Sequence, residues 1–397
     1  MMVAAGAVSF EKHFEQVDDP RVIERTAHSL HAILFIVVTA TIAGADGPED
    51  MAKFAERKKE WLEQFVDLKH GVPSHDTIGR VLGIIKPQQF QDAFLRWISS
   101  LSSLRGKDGK PIFIAMDGKT MRGSYSNADK SDMLHIVSAW ASQQGITLGQ
   151  TVVDSKSNEI TAIPDLLQIL ELQGAIVSID RAPSRGLGRG CQRDIAAKIT
   201  RGGGDYVLQV KGNQPMLHQA IEEAFAELDT VNNAAVNRTT AAKLKARHKT
   251  TQEKSRGRLE TRCYTIMSLP DSMSSFGKKW SGLKSIGRVI RTVEHRDGKR
   301  TCETSYYICS INAKVSLFSE SARSHWSIEN SLHWVMDVVF GEDASRIHQG
   351  HAAENMSFLR RFVTTLLKQD TSASSLKQKR KEAAWDTTFL EKLLFSK

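Results

Sequence analysis

Two aspartates each directly follow an apolar run, Asp117 after Ile112 to Met116 and Asp180 after Ala175 to Ile179, the second interrupted only by Ser178. Runs of this length and composition predict buried strands. If the two strands are neighbours in a parallel sheet, about 4.8 Å apart, both carboxylates emerge at one carboxyl edge, where open α/β sheets bind ligands. Two acids so placed repel each other unless they share a cation. Mg²⁺ takes oxygen ligands, and two such ions about 4 Å apart can deprotonate water or a 3′-hydroxyl and stabilise the leaving oxygen of a phosphodiester. The plain alternative is that an Asp after a strand is a turn or helix-cap residue.

A third carboxylate is sought further along, where Ala322 to Val339 predicts a strongly amphipathic helix crowded with Arg323, His325, Trp326, Glu329, Asn330, His333, Trp334 and Asp337. Glu329, His333 and Asp337 fall at i, i+4 and i+8 and so share one face. His325, Glu329 and His333 repeat the spacing of four, which suits a transition metal on one helix face, but no further ligand is evident. The other reading is a polar face that pairs with basic residues elsewhere. Arg323 and His325 precede Glu329 on the same helix, a spacing that lets them contact a phosphate or position a nucleic-acid strand. Gly186-Leu187-Gly188-Arg189-Gly190 has GxGxG spacing, neither GxGxxG nor GxxxxGK[ST], so no nucleotide cofactor site is expected.

The charge is unevenly placed. The chain of 397 residues carries 54 Lys/Arg against 45 Asp/Glu, yet Arg238 to Arg300 alone holds 17 against 5, leaving the remainder slightly acidic. A basic block on such a background is the footprint of a polyanion, most simply nucleic acid, with Arg256, Arg258 and Arg262 as phosphate contacts. A solubilising loop is the alternative. Hydrophobic content of 41% and charged content of 25% exclude collagen-like, disordered and disulfide-framework classes. Four cysteines without a CxxC pair read as free thiols. The longest apolar stretch, Ile33 to Ala45, is shorter than the roughly 20 residues of a bilayer crossing, and no basic segment leads a signal core. A cytoplasmic protein without a membrane partner is expected.

The elements that must position these residues follow from periodicity. Asp18 to Leu101 is helical, with Ile33, Ile36, Val37 and Ala40 on one face, then Phe54, Trp61, Leu62 and Phe65. Ser74 caps a further helix that buries Ile78, Val81, Leu82 and Ile85. Past Arg105 to Lys110 strands are predicted at Pro111 to Met116, Met133 to Ser142, Ile146 to Val153, Ala175 to Ile179 and Tyr206 to Val210, and helices at Ile163 to Leu172, Gln192 to Ile199 and Met216 to Leu228. Strands at Leu259 to Met267, Ser285 to Val293 and Tyr306 to Ile311 make the basic block β-rich. The expected class is α/β, a mixed sheet with helices on both faces and an N-terminal all-α domain.

The residues resemble the DDE transposases of bacterial insertion sequences, in the branch that includes the H-repeat-associated proteins. The likeness spans nearly the whole chain. It rests on Ala45-Asp46-Gly47, Pro73-Ser74-His75-Asp76-Thr77, Asp117-Gly118-Lys119-Thr120-Met121-Arg122-Gly123-Ser124, Lys156 to Pro164, Lys211-Gly212-Asn213-Gln214, Arg323 to Asn330 and Phe340 to Arg346. The resemblance implies a ribonuclease-H-like fold in which Asp117, Asp180 and Glu329 bind two Mg²⁺ ions, with Mn²⁺ able to substitute, for DNA cleavage and strand transfer. It implies double-stranded DNA partners, namely terminal repeats and target, and a homodimer on DNA. The domains expected are 1–105, helical and associated; 106–370, catalytic, with a basic β-rich insertion at about 230–315; and a tail at 371–397.

Three departures accompany the match. Where the family runs from the second Asp through a short Ala-Met-Gly to Cys-Gln, this chain has a longer basic linker, Arg181 to Gly190, before Cys191-Gln192. Arg256-Gly257-Arg258 replaces an expected His-Gly-Arg, and Ala322, His325 and Met336 stand where related transposases have Tyr, Arg and Lys. The linker opens a second reading, a DNA-binding remnant that binds element ends and does not cut them.

Overall fold

The computed structural model describes residues 10–22, 24, 26–101, 110–121, 133–153, 159–179, 193–212, 214–233, 246–255 and 257–395. Asp180, Arg256 and the linker after Asp180 lie outside these residues.

The chain opens with helices α1 (Leu30–Ile42), α2 (Pro48–Arg57), α3 (His75–Ile84) and α4 (Pro87–Leu101). Ser29 caps α1 by accepting the Ala32 N–H, and Ser74 caps α3 by accepting the Thr77 N–H. In α3 the expected face, Ile78, Val81 and Leu82, is buried together with Ile85 just beyond it. Helix α1 departs from the one-sided reading: every residue except His31 is buried. A helix that is apolar all round belongs in the middle of a core.

Among the described residues a single nine-stranded mixed sheet follows, built from β1 (Ile112–Thr120), β2 (His135–Ala141), β3 (Ile146–Val153), β4 (Ala175–Ile179), β5 (Asp205–Val210), β6 (Arg247–Ser255), β7 (Arg258–Ser268), β8 (Ser285–Glu294) and β9 (Arg300–Cys309). Its order is β3-β2-β1-β4-β5-β9-β8-β7-β6. Strands β1, β4 and β5 are parallel, while β3-β2-β1 and β5-β9-β8-β7-β6 are antiparallel. The β-rich basic region therefore extends the same sheet past β5.

Helices α5 (Glu159–Ile169), α6 (Arg193–Arg201) and α7 (Pro215–Asn233) cover one face, over a core that includes Ile114, Met116, Val177 and Leu208. Helix α8 (Val315–Ile328) covers the other, where Phe318 and Ala322 pack on Phe113, Ile176, Val207, Tyr264 and Ile266. Gly287 of β8 lies directly under the Phe318 ring, and a methyl group added there would collide with it. Gly287→Ala is expected to destabilise the fold by about 1–3 kcal/mol through overpacking, read as a lower urea midpoint. An unchanged midpoint would show that the helix slides without cost.

After α8 the chain forms α9 (Trp334–Val338), a short turn at Glu342–Ala344, α10 (Ala352–Gln369), α11 (Leu376–Trp385) and α12 (Thr387–Phe395). The segment expected as a Ser/Lys-rich tail is thus mostly helical. Ala383, Leu390, Leu393 and Leu394 join one hydrophobic core with Ile33, Phe35, Trp97, Phe362 and the underside of α8 and α9, including Ile328, Leu332 and Met336. Its polar groups are consumed internally: Arg380 donates to the carbonyls of Thr41, Ala45 and Val339, and Trp61 Nε1 donates to Glu391 at 2.7 Å. No described helix is long and apolar enough to cross a membrane.

Candidate active site

Strand β1 runs four residues further than its apolar run, because Asp117 to Thr120 pair antiparallel with Ser138 to His135 of β2. Asp117 therefore sits within the strand and not after it. On the other side β1 pairs with β4 only as far as Met116 against Ile179, so Asp117 stands where the parallel ladder ends. The predicted neighbourhood of the two apolar strands is real. Asp117 is 11% exposed, and its Oδ1 accepts the Gly118 N–H at 2.8 Å.

The helix facing this edge is not a regular α-helix. Between α8 and α9, Glu329–His333 form a π turn in which the Trp334 N–H bonds to the Glu329 carbonyl five residues back. Such turns are rare and recur at functional sites. The α-helical stripe expected for Glu329, His333 and Asp337 is broken by this wider turn. His333 and Asp337 reach β1, whereas Glu329 is exposed and lines a groove. His333 Nδ1 lies 3.5 Å from Asp117 Oδ2. Burial, helped by the charges of Arg361 and Lys119, lowers the His333 pKa to about 3, so at neutral pH the ring is uncharged and this approach is not an ion pair. Its Nε2 is buried without a hydrogen-bond partner.

Lys119, two residues after Asp117 and so on the same face of β1, gathers most of the neighbouring acids. Its Nζ lies 2.5 Å from Asp337, 3.2 Å from Asp343 and 3.5 Å from Glu342. Glu342 is fully buried and accepts from Arg361 of α10 at 2.8 Å. Arg361 Nε also donates to Ser138 Oγ, and Ser138 is the cross-strand partner of Asp117. Lys119 belongs to a motif that carries the family resemblance, but residue type and spacing assign no role to it or to Arg361. For Lys119 the signal was present in the alternation of β1, but its acid partners lie more than 200 residues away.

Glu329 opens on a groove of about 520 Å³ whose walls include Arg258, Arg262, Arg291, Arg323, Trp326 and Trp334. Three of the residues read as DNA contacts, Arg258, Arg262 and Arg323, are thus brought beside Glu329. Their freedom differs. Arg258 is exposed, whereas Arg262 is buried, 3.6 Å from Glu253 and in an ion pair with Glu260. Burial works against the Glu260 charge, but Arg291 and Arg262 outweigh it and hold the carboxyl below its ordinary value. Arg323 is forked onto Glu253, and Arg291 lies over the Trp326 ring. Several arginines of this groove are therefore paired with acids of the same fold. His325, the fourth described residue read as a DNA contact, is buried with Nδ1 3.2 Å from Ser178 Oγ of β4, between helix and sheet.

The donor chemistry fits a hard divalent cation better than zinc. Asp117 and Glu329 supply carboxylate oxygens, and the cysteines among the described residues, Cys263, Cys302 and Cys309, lie on β7 and β9, away from this edge. Of the other acids near β1, Asp337, Glu342 and Asp343 lie within 3.5 Å of the Lys119 ammonium. Among the described residues no three His, Cys, Asp or Glu side chains gather as a metal cluster.

The chain matches a family model described as a transposase DDE domain over residues 108–366, and a DDE_Tnp_1-associated model over residues 11–98. The protein YbfL of Escherichia coli K12 is 36% identical over 389 residues, covering 96% of this chain and 97% of that protein. YhhI of the same strain, an H repeat-associated transposase candidate, has the same identity and coverage. YncI of Escherichia coli O157:H7, a transposase candidate, is 38% identical over 96% of this chain and 93% of its own length. Among solved structures, a piggyBac transposase synaptic complex with hairpin DNA aligns over 98% of this chain and 81% of that one, with a TM-score of 0.37 and 8% identity. That likeness is too slight to bear on fold or function. The sequence matches are of another order, one model spanning more than half of the chain and relatives running nearly its full length, and by them this chain belongs to the DDE transposase family.

Proposed function

We propose that the protein is an active transposase that cleaves phosphodiesters at insertion-sequence ends and joins them to target DNA, with Asp117, Asp180 and Glu329 as its divalent-metal carboxylates. One observation carries this reading: Asp117 stands where the β1–β4 ladder ends, and Glu329, on the helix crossing that edge, opens into a groove walled by arginines. Asp180 is the residue next in sequence after the last ladder pair, Met116 and Ile179.

When bound, two Mg²⁺ ions, or Mn²⁺ in their place, supply an activated hydroxyl nucleophile and charge stabilisation on the leaving oxygen. The chain does the rest. Asp117 and Glu329 hold oxygen donors on two rigid elements, a strand and a packed helix. His333, uncharged and buried beside Asp117, keeps water from one side of that carboxylate. Arg258 offers an exposed cation for backbone phosphates.

On this reading β3-β2-β1-β4-β5 is the ribonuclease-H-like part of a catalytic domain spanning 106–370, β6 to β9 are its insertion, and residues 1–105 are the associated helical domain. The protein acts in the cytoplasm as a homodimer on paired DNA ends.

The test is nicking of a DNA fragment carrying the element's own terminal repeats, in Mg²⁺ and in Mn²⁺, with Asp180→Ala alongside. Cleavage by the wild type that disappears in the variant is expected. Binding without cleavage in either metal would instead identify a remnant disabled after Asp180, and deleting the extra linker residues would then restore cutting.

A further inference from the structure

Arg323 and Glu253 meet as a fork. Arg323 Nε lies 3.1 Å from Glu253 Oε1 and Nη2 lies 2.6 Å from Oε2, so one carboxylate occupies two parallel donors. A guanidinium recognises two oxygens of a phosphate in the same way. The pair joins α8 to β6, the edge strand of the sheet. Its side chains are 42% and 44% exposed, so water competes for both partners and the pair adds little to stability. Helix α8 is held instead by Phe318 and Ala322 in the core beneath it.

A second observation points to the same place. Arg262 Nη1 is buried with no hydrogen-bond partner and lies 3.6 Å from Glu253 Oε2, although Nη2 of the same guanidinium is paired with Glu260. An unmade bond on a buried charged donor is costly. An acceptor somewhat larger than a carboxylate, seated between the two arginines, would complete it. Both arginines and Glu253 line the groove on which Glu329 opens.

We propose that Arg323 and Arg262 form a phosphodiester-binding site, and that Glu253 fills it in the DNA-free chain and leaves when a backbone phosphate enters. The proposal rests on the reading of this protein as DNA-binding. A phosphodiester carries the same single negative charge as the carboxylate it replaces, and its two non-bridging oxygens match the Arg323 fork. It also gives Arg262 Nη1 the acceptor it lacks. Glu253, on an edge strand, swings into solvent without disturbing a core. Glu260 has the opposite role: it is less exposed, shared by Arg262 and Arg291, and holds the two guanidinium groups in place.

The experiment measures affinity of the full chain for a short labelled DNA duplex of arbitrary sequence, by fluorescence anisotropy at low salt without divalent metal. Glu253→Gln is expected to bind about three- to five-fold more tightly than wild type. Glu294→Gln removes the same charge from β8 outside the groove and is expected to change affinity less than about twofold. In an Arg323→Gln background the Glu253→Gln gain disappears. The proposal is overturned if Glu253→Gln binds no better than Glu294→Gln, binds more weakly than wild type, or keeps its gain without Arg323. If neither wild type nor any variant binds DNA, the DNA-binding reading itself falls and takes the site with it.

Discussion

Asp117→Asn is expected to lower DNA strand cleavage by at least about a thousandfold while leaving DNA affinity within about twofold of wild type. Asn is nearly isosteric, and its side-chain oxygen can still accept the Gly118 N–H that Asp117 accepts now. The strand and its ladder with β2 are therefore preserved, and only the charge on the donor is removed. Glu329→Gln is expected to behave alike, with DNA binding unchanged or tighter because an anion leaves the groove. Asp337→Asn serves as the contrast, because its carboxylate lies against Lys119. It should cost less than about tenfold. Gel-based cleavage and anisotropy on the same preparations separate the two effects. Loss of binding in step with cleavage would show that the substitutions harm the fold, and full cleavage by Asp117→Asn would remove that residue from the chemistry.

Arg361→Met is expected to destabilise the protein by about 3–5 kcal/mol, because it removes the ion-pair partner at 2.8 Å from the fully buried Glu342 carboxylate and leaves it the Ser357 hydroxyl and the more distant Lys119 ammonium at 3.5 Å. Arg361 is fully buried, donates to Glu342, Ser357 and Ser138, and ties α10 to β2 beside Asp117. Adding Glu342→Leu to Arg361→Met removes the stranded charge and should recover most of the loss, since a buried pair replaced by apolar groups is often neutral. A urea midpoint for the double variant as low as for the single one would contradict this account.

The same pair predicts a pH dependence. Burial raises the Glu342 pKa, but the charges of Arg361 and Lys119 outweigh it and bring it down to about 2. A carboxyl whose folded pKa lies below its unfolded value of about 4.5 contributes stability above that value and loses it as the pH falls towards 2. The urea midpoint of the wild type should therefore fall between about pH 4.5 and 2 more steeply than that of Glu342→Gln. Parallel curves would assign the acid loss to other groups.

What was legible in the sequence is what short-range pattern encodes. The runs before Asp117 and Asp180, the second interrupted only by Ser178, mark adjacent parallel strands because a central strand buried on both faces needs apolar residues at nearly every position. Ser74 marks a helix start because its hydroxyl and the following apolar spacing agree. Strand β6 was missed because Arg-His-Lys-Thr-Thr-Gln-Glu-Lys-Ser has no apolar face; as an edge strand it needs only the ladder with β7. The C-terminal helices were missed because Lys379 and Arg380 look like solvent-facing charge, yet both are buried against backbone carbonyls. At the candidate site, Asp117 is singled out by its place after an apolar run, whereas Glu329 is singled out among the neighbouring acids only by the family resemblance. The π turn that separates Glu329 from His333 and Asp337 does not follow from residue type and position, and neither does the internal pairing of Arg262, Arg291 and Arg323. Spacing assumes a regular helix, and composition counts charges without their partners.

The core shared by α1 to α4 with α10 to α12 also has a temporal meaning. Arg380 bonds Asp46 across 334 positions, so α1 and α2 find packing partners that are synthesised more than 300 residues after them. Such contacts form late and slowly, since the intervening chain must be brought together first. The underside of α8 and α9 belongs to that same core, so the seat of Glu329 is finished only when α1 to α4 and α10 to α12 have closed on each other. Assembly of the site thereby waits until α12 has left the ribosome, and until then the nascent chain carries the site unfinished.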